Sequence, residues 1–291
     1  MLKTMQYRCK TLLFNPPIKK AVERFMSDYQ FIKTDFANEV KNIVMCDPKT
    51  RNALSASMME GLLNAIVEVK ENPEIRVVVI SGEGPAFSGG HNLKEIADNV
   101  EIQNKVFQTA SNLMMSIIDC PVPVIAKIDG MAIAAGCQLV AQCDIAIASD
   151  KSTFSTPGAN FGIFCSTPGI ALSRCVSKMP SLYMLLTGLP VKAQEAKEIG
   201  LITKVCPSEK LDEEVDFVCN AIKAKSRDVV ELGKRFYNEQ ICHDVKTAYK
   251  LGADKMVENL QMGDCKEGIR SFIEKRKPNW GMGCDTKQIN K

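Results

Sequence analysis

The stretches of this chain best suited to chemistry offer backbone more than side chains. Ser81-Gly82-Glu83-Gly84-Pro85-Ala86-Phe87-Ser88-Gly89-Gly90-His91-Asn92-Leu93-Lys94 follows the apolar run Val77-Val78-Val79-Ile80. Asp129-Gly130-Met131-Ala132-Ile133-Ala134-Ala135-Gly136-Cys137-Gln138 follows Val122-Pro123-Val124-Ile125-Ala126-Lys127-Ile128. In both, a buried strand is expected to enter a loop of small residues from which a helix starts. Such a junction leaves backbone N–H groups unpaired and lets a ligand oxygen approach closely. Two facing junctions would clamp a carbonyl as it becomes an oxyanion. A single loop of this kind would more simply close a strand-to-helix turn.

The elements that position these loops follow from patterning. Residues 31–36 and 40–47, separated by Ala37-Asn38-Glu39, suit a hairpin. Ser55 is placed to cap a helix with Met59, Leu62, Leu63, Ile66 and Val69 on one face, ending before Pro73. Residues 75–80 read as a strand buried on both faces. After the first loop come a short helix near residues 93–97 and a longer one carrying Ile102, Val106, Ala110, Leu113 and Ile117, stopped at Asp119-Cys120-Pro121. Strands are expected at 124–128, 143–149, 153–155 and 201–205, with a helical region between the last two. Alternating strands and helices imply an α/β architecture with a largely parallel sheet. From about residue 211 the pattern becomes helical only, at 211–223, 226–238, 244–261 and 264–277. The expected division is therefore a leader at 1–27, a core at 28–210, a helical region at 211–280 and a tail at 281–291.

Totals narrow the function classes. The 291 residues are 45% hydrophobic and 24% charged, ordinary for a globular protein with a real core. The 37 basic and 34 acidic residues are interleaved, so no nucleic-acid partner is expected. Twelve cysteines include no Cys-x-x-Cys pair, and read as thiols in a reducing compartment and not as a disulfide frame or metal site. Lys127, Asp129, Gln138 and Asp144 break the apolar stretches, so no membrane span is expected. Residues 1–22 lack acids and carry Lys3, Arg8, Lys10, Lys19 and Lys20, which resembles a mitochondrial import segment; a basic arm is the alternative.

Several motifs, in order, resemble the crotonase superfamily, the enoyl-CoA hydratase/isomerase family. They are Arg51-Asn52-Ala53-Leu54-Ser55, Ala86-Phe87-Ser88-Gly89-Gly90-His91-Asn92-Leu93-Lys94 and Gly130-Met131-Ala132-Ile133-Ala134-Ala135-Gly136-Cys137-Gln138-Leu139. Cys143-Asp144-Ile145, Pro168-Gly169 and Ala193-x-Glu195-Ala196-x-x-x-Gly200-Leu201 follow. The resemblance covers about residues 31–280. It implies a crotonase-type spiral of ββα turns, with a C-terminal helical part used to form a homotrimer or dimer of trimers. It also implies an acyl-CoA thioester as ligand or substrate, no further cofactor and no metal. The family's oxyanion-hole N–H groups fall on His91 and Ala135. Arg51, His91, Asn92, Leu93, Lys94 and Ala135 fall on the CoA-binding path, with Arg51 and Lys94 as cations for its phosphates. Lipid metabolism in the mitochondrial matrix is the implied setting.

The departures bear on chemistry. The two glutamates with which the family's hydratases activate water fall at Gln138 and Gly158, and neither residue can exchange a proton near neutral pH. Such groups contribute about 10²–10⁴-fold each, so weak or absent hydratase activity is expected with binding retained. The alternatives are thioester hydrolysis or decarboxylation driven by the oxyanion hole, and a non-catalytic scaffold. Among replacement groups, Asp144 reads as structural and His91 as either a base or a packed imidazole. Cys137 and Cys165 read as inert thiols, and Glu83, Glu95 and Asp98 as solvated charges. The basic end Arg270, Lys275, Arg276 and Lys277 reads as either a phosphate contact or a solvated face.

Overall fold

The computed structural model describes residues 30–97 and 99–281. The expected leader at 1–27, Asp98 and all of the expected tail but Gly281 lie outside the described residues.

The chain opens with a hairpin of β1 (Ile32–Ala37) and β2 (Val40–Met45), in register from Ile32↔Met45 to Ala37↔Val40. Its two turn residues, Asn38 and Glu39, take φ of 52° and 66°, the left-handed pair that matches the strand twist. β3 (Val77–Gly82), β5 (Val124–Ile128), β7 (Ile145–Ser149) and β10 (Lys204–Cys206) complete a sheet of order β1-β2-β3-β5-β7-β10, parallel beyond the hairpin. Ser55 caps α1 (Ala56–Val67) by accepting the Met58 amide, and Asn99 caps α2 (Val100–Ile118) by accepting that of Ile102. Together α1 and α2 bury Met58, Met59, Leu62, Val106, Leu113 and Ile117 in the main core. On the sheet's other face Leu211, Val215 and Cys219 of α7 (Leu211–Lys223) pack on Val77, Val79, Ile125 and Ile147.

A second, smaller sheet holds β4 (Ala86–Ser88), β6 (Met131–Ile133), β8 (Thr153–Ser155) and β9 (Val191–Lys192). The first three are parallel, and each follows a strand of the large sheet in the chain. The recurring unit is thus long strand, short strand, helix, with α3 (Ala135–Gln142) after β6. Beyond β8 lie a 3₁₀ turn at Pro157–Phe161, α4 (Ser166–Cys175), α5 (Lys178–Thr187) and α6 (Ala193–Glu198). Phe87 and Phe154 of the small sheet share one core with Ile43 and Ile80 of the large one.

Local expectations need correction at four points. β4 and β6 lie inside what reads as loop, being three residues long and glycine-flanked. Residues 93–97 form turns and not a short helix. The Asn92 side chain accepts the Lys94 amide and its carbonyl that of Glu95, which competes with helical pairing. The strand expected at 143–149 begins at Ile145, and that at 201–205 is displaced to Lys204–Cys206.

Helices α8 (Arg227–Gln240), α9 (Val245–Gln261) and α10 (Gly263–Ile273) close the chain, and neither α8 nor α9 buries a residue fully. One lysine ties α8 to the core. Lys234 Nζ donates to Ile117 O at 2.8 Å, Val122 O at 3.1 Å and Asp144 Oδ2 at 2.6 Å, its side chain only 7% exposed. The same Asp144 oxygen accepts the Val124 amide at 2.7 Å. Burial pushes the Asp144 carboxyl up, opposed by Lys234. Asp144 keeps solvent contact, so Lys234→Met is expected to cost about 1–3 kcal/mol in urea unfolding, through loss of the charge-assisted bonds to Ile117 O, Val122 O and Asp144. Adding Asp144→Asn should recover part of it, and equal, additive losses would show that the pair is not coupled.

Candidate functional site

Parallel strands end together, and the C-terminal edge of an α/β sheet is where crevices form. At that edge of β4, β6 and β8 the chain places His91, Ala135 with Gln138, and Thr156 with Gly158. The first loop is fixed by a neighbouring segment. Gly89 N donates to Arg51 O and Leu54 N to Gly90 O, both at 2.8 Å. Ser88 Oγ donates to Asn52 O at 2.8 Å and accepts the Gly90 amide at 3.2 Å. Asn52, fully buried at φ 51°, donates through Nδ2 to Glu83 O and Ala86 O and accepts the Asp47 amide. Sequence reasoning did not single out Asn52 or Ser88 as organisers. The one available signal was an asparagine, tolerant of left-handed backbone, inside a short polar segment.

The two glycine loops meet because neither has side chain at the junction. A Cβ on Gly90, whose φ is 86°, would lie 2.8 Å from Ile133 O and 3.3 Å from Ala135 N. One on Gly136 would lie 2.5 Å from Ser88 O. Ala134 takes the unusual φ of 49° and donates its N–H to Ser155 O at 2.8 Å, tying the second loop to β8. Ala135 is the first residue of α3, so its N–H has no carbonyl within the helix. His91 and Ala135 therefore sit on touching segments.

The His91 ring is packed, edge-on to Phe107 with centroids 5.3 Å apart. Its Nδ1 lies 3.3 Å from Leu54 O; a carbonyl only accepts, so Nδ1 carries the proton and Nε2 is an acceptor. Burial holds its pKa below the ordinary histidine value, against the Leu54 carbonyl and Glu95, so the ring is neutral at neutral pH. Among the described residues, the buried side-chain polar atoms without a partner are His91 Nε2, Gln138 Oε1 and Thr156 Oγ1. All three follow the ends of adjacent strands of the small sheet. Buried polar groups are nearly always paired, so each of these three atoms is one for which a polar partner is expected.

Gly158 stands in the 3₁₀ turn outside the left-handed region, and it is space that excludes a side chain there. A Cβ would lie 2.2 Å from Ile163 O and 2.7 Å from Cys165 Sγ. Arg51, Leu93 and Lys94 are exposed at the rim and Asn92 is half-buried. Asp144 belongs to the Lys234 pair and not to this edge. Burial pushes the Cys137 and Cys165 thiols up, away from nucleophilic thiolate. Glu95 is not a free solvated charge: it accepts the Ala56 amide at 3.1 Å and the Asn92 side chain at 3.1 Å. Glu83 pairs with Lys33 at 2.7 Å. At the basic end, Arg276 is held by Glu267 and Glu274.

Residues 35–283 match the family described as enoyl-CoA hydratase/isomerase. The chain is 48% identical over 256 residues to enoyl-CoA hydratase domain-containing protein 3, mitochondrial, of Rattus norvegicus, covering 87% of this chain and 85% of the relative. It is 50% identical over 243 residues to the Homo sapiens protein of the same name, covering 83% and 80%. The crystal structure of human enoyl coenzyme A hydratase domain-containing protein 3 superposes with a TM-score of 0.85 at 47% identity, covering 86% of this chain and all of that one. An enoyl-CoA hydratase structure from Mycobacterium smegmatis gives 0.84 at 38% identity, covering 86% and 98%. The fold is thus the crotonase-type spiral with a helical C-terminal region.

Proposed function

This chain belongs to the enoyl-CoA hydratase/isomerase family, and from that premise we propose that it binds acyl-CoA thioesters in mitochondrial fatty-acid metabolism without the family's acid–base pair. What supports this reading is that His91 and Ala135 lie on touching loops, with Ala135 N–H at the start of α3, while Gln138 and Gly158 carry no carboxylate. His91 N–H and Ala135 N–H would hold the thioester oxygen, Asn92 and Leu93 would line the path outward, and exposed Arg51 and Lys94 would meet the phosphates of CoA. Backbone donors survive changes of side chain, which is why this half of the machinery persists. Water activation does not, because Gln138 exchanges no proton and a carboxylate at Gly158 would collide with the Ile163 carbonyl. The mitochondrial placement follows the relatives, whose names include "mitochondrial", and the matrix is the compartment proposed within it.

Calorimetry with short and medium acyl-CoAs tests the reading, with dissociation constants at or below about 100 μM expected. Folded protein that binds no thioester would end it. Arg51→Glu with Lys94→Glu should weaken acyl-CoA by about tenfold or more and leave the matching acyl-pantetheine nearly unaffected. Equal losses for both ligands would remove those residues from phosphate recognition.

A second reading, thioester hydrolysis or decarboxylation, is favoured by one observation: the neutral, unpartnered Nε2 of His91 is an available proton acceptor. Thiol release from acyl-CoAs that disappears in His91→Ala would establish it. Crotonyl-CoA hydration is followed in parallel by loss of the enoyl absorbance. A pure scaffold, the third reading, predicts no thermal stabilisation by any thioester.

The proposed assembly is a homotrimer or a dimer of trimers. Its support is the apolar surface left open on the C-terminal helices, where Phe217, Tyr237, Tyr249, Met256 and Phe272 are each more than half exposed. Light scattering at micromolar concentration should give three or six times the chain mass, and a monomer mass would refute it.

A further inference from the structure

Among the described residues, neither hydrophobic core includes one beyond Ile222. A cleft of about 400 Å³ lies between α8 and the core, with Lys70, Ile118 and Asp119 on one wall and Glu231, Arg235 and Asn238 on the other. Polar bonds span it: Lys234 as described above, and Arg227 Nε donating to Ile75 O at 3.2 Å. The joint between α7 and α8 is held from two sides. The last carbonyls of a helix lack partners within it. Arg76, just before β3, donates through Nη2 to Lys223 O and Lys225 O. Between them, Ala224 O accepts Trp280 Nε1–H at 2.9 Å, from 56 residues away. A reversal at the end of α10 brings Trp280 back: Lys275 takes φ of 53°, and Arg276 N donates to Ser271 O at 3.0 Å. The strap that follows, 276–281, is tied down along α10. Arg276 Nη1 and Nη2 donate to the two carboxylate oxygens of Glu267 at 2.6 and 2.9 Å, and Asn279 N adds a third bond at 2.9 Å. These donors hold the Glu267 carboxyl down to about 2, so it stays charged through the neutral range. Gly281 N donates to the buried Asp264 at 2.9 Å. A Cβ on Gly268 would lie 3.4 Å from the Trp280 ring, so the indole rests on α10 where the helix has no side chain.

We propose that the strap is a latch: the Trp280 indole on the Ala224 carbonyl closes α8, α9 and α10 into one body, and that body opens as a unit while the α/β core stays folded. Closed, the latch holds the two ends of the arm together, so α9 and α10 cannot leave without breaking the indole bond. Open, the arm keeps no share of either hydrophobic core, and segments with few buried apolar contacts are the ones that open below the global unfolding energy. A left-handed lysine is a costly turn, kept where surrounding bonds over-determine it, as the Glu267 and Asp264 bonds do here. The latch involves neither glycine loop and needs no ligand, so it stands or falls apart from the acyl-CoA reading.

Hydrogen exchange on the full chain, read by mass spectrometry at one fixed protein concentration, tests this. In the wild type the amides of α8, α9 and α10 are expected to exchange together and sooner than those of β3 and β5. Trp280→Phe keeps a ring against Gly268 and loses the N–H. Exchange across all three helices should then rise about fivefold or more, with β3 and β5 within about twofold of the wild type. Arg276→Met keeps the indole, which is the chain's one tryptophan, and loosens the strap beneath it. Its emission should move to the red, with acrylamide quenching raised about twofold. Unchanged arm exchange in Trp280→Phe overturns the latch. A rise confined to α10 overturns it by denying the single body, and an equal rise in β3 and β5 does so by making Trp280 a support of the whole fold. Wild-type emission and quenching in Arg276→Met overturn the strap's part in it.

Discussion

Gly90→Ala and Gly136→Ala are each expected to weaken acyl-CoA binding at least about tenfold, with the larger loss in any turnover the protein has. A donor aimed at a full oxyanion is worth roughly 10²–10³-fold, and a ground-state thioester oxygen draws on less of it. The cause is displacement of the frame. The Gly90 Cβ would press on Ile133 O at 2.8 Å in a backbone whose φ is 86°, and the Gly136 Cβ on Ser88 O at 2.5 Å. Both obstacles are backbone, so the two loops must separate, and His91 N and Ala135 N move apart with them. Overpacking of this sort costs about 1–3 kcal/mol, so the melting temperature should fall by several degrees while the circular dichroism stays native. A folded Gly90→Ala protein that binds acyl-CoA as the wild type does would show that the carbonyl is held elsewhere.

Gln138→Glu with Gly158→Glu, which by side-chain chemistry alone would rebuild a hydratase, is expected to give no crotonyl-CoA hydration and a less stable protein. From sequence, the missing carboxylates are the departure from which weak or absent hydratase activity is expected. The Gly158 Cβ, however, would lie 2.2 Å from Ile163 O, and this turn has closed over the space a side chain needs. Cys165→Ala in the same background relieves only the 2.7 Å contact with its sulfur, because the Ile163 obstacle is main chain. A melting temperature lower by roughly 5 °C or more is the expected cost of Gly158→Glu alone. Gln138→Glu alone buries a carboxyl where the present amide oxygen has no partner, so burial pushes its pKa up and disfavours the charged form. A well-folded double variant that hydrates crotonyl-CoA, followed by loss of enoyl absorbance, would show that the turn yields and that two side chains were the whole difference.

What the amino-acid order determined by itself was whatever depends on residues a few positions apart. Ser55 signals the start of α1, Asn38-Glu39 the hairpin turn, and the spacing from Val106 to Ile117 the buried face of α2. The helical stretch 211–223 was legible to the residue, since acids crowd its first turn and apolar residues recur at helical spacing. The glycine loops were legible too, because absent side chains are a local signal, whereas His91 and Ala135 were named through the family resemblance. The tertiary structure alone decided how those loops are used. β4 and β6 are three residues each, too short for any period, and exist only because residues more than forty apart pair across the small sheet. Asn52 becomes an organiser only through carbonyls 31 and 34 residues away. Asp144 turned out to hold α8 through a lysine 90 residues on. The same holds for Gly158, whose missing side chain reads as a lost carboxylate in the sequence and, in the fold, as space taken by the Ile163 carbonyl. Sequence displays which groups are present; which of them share a volume is fixed by packing among distant segments, and steric exclusion and unpaired acceptors are properties of that shared volume.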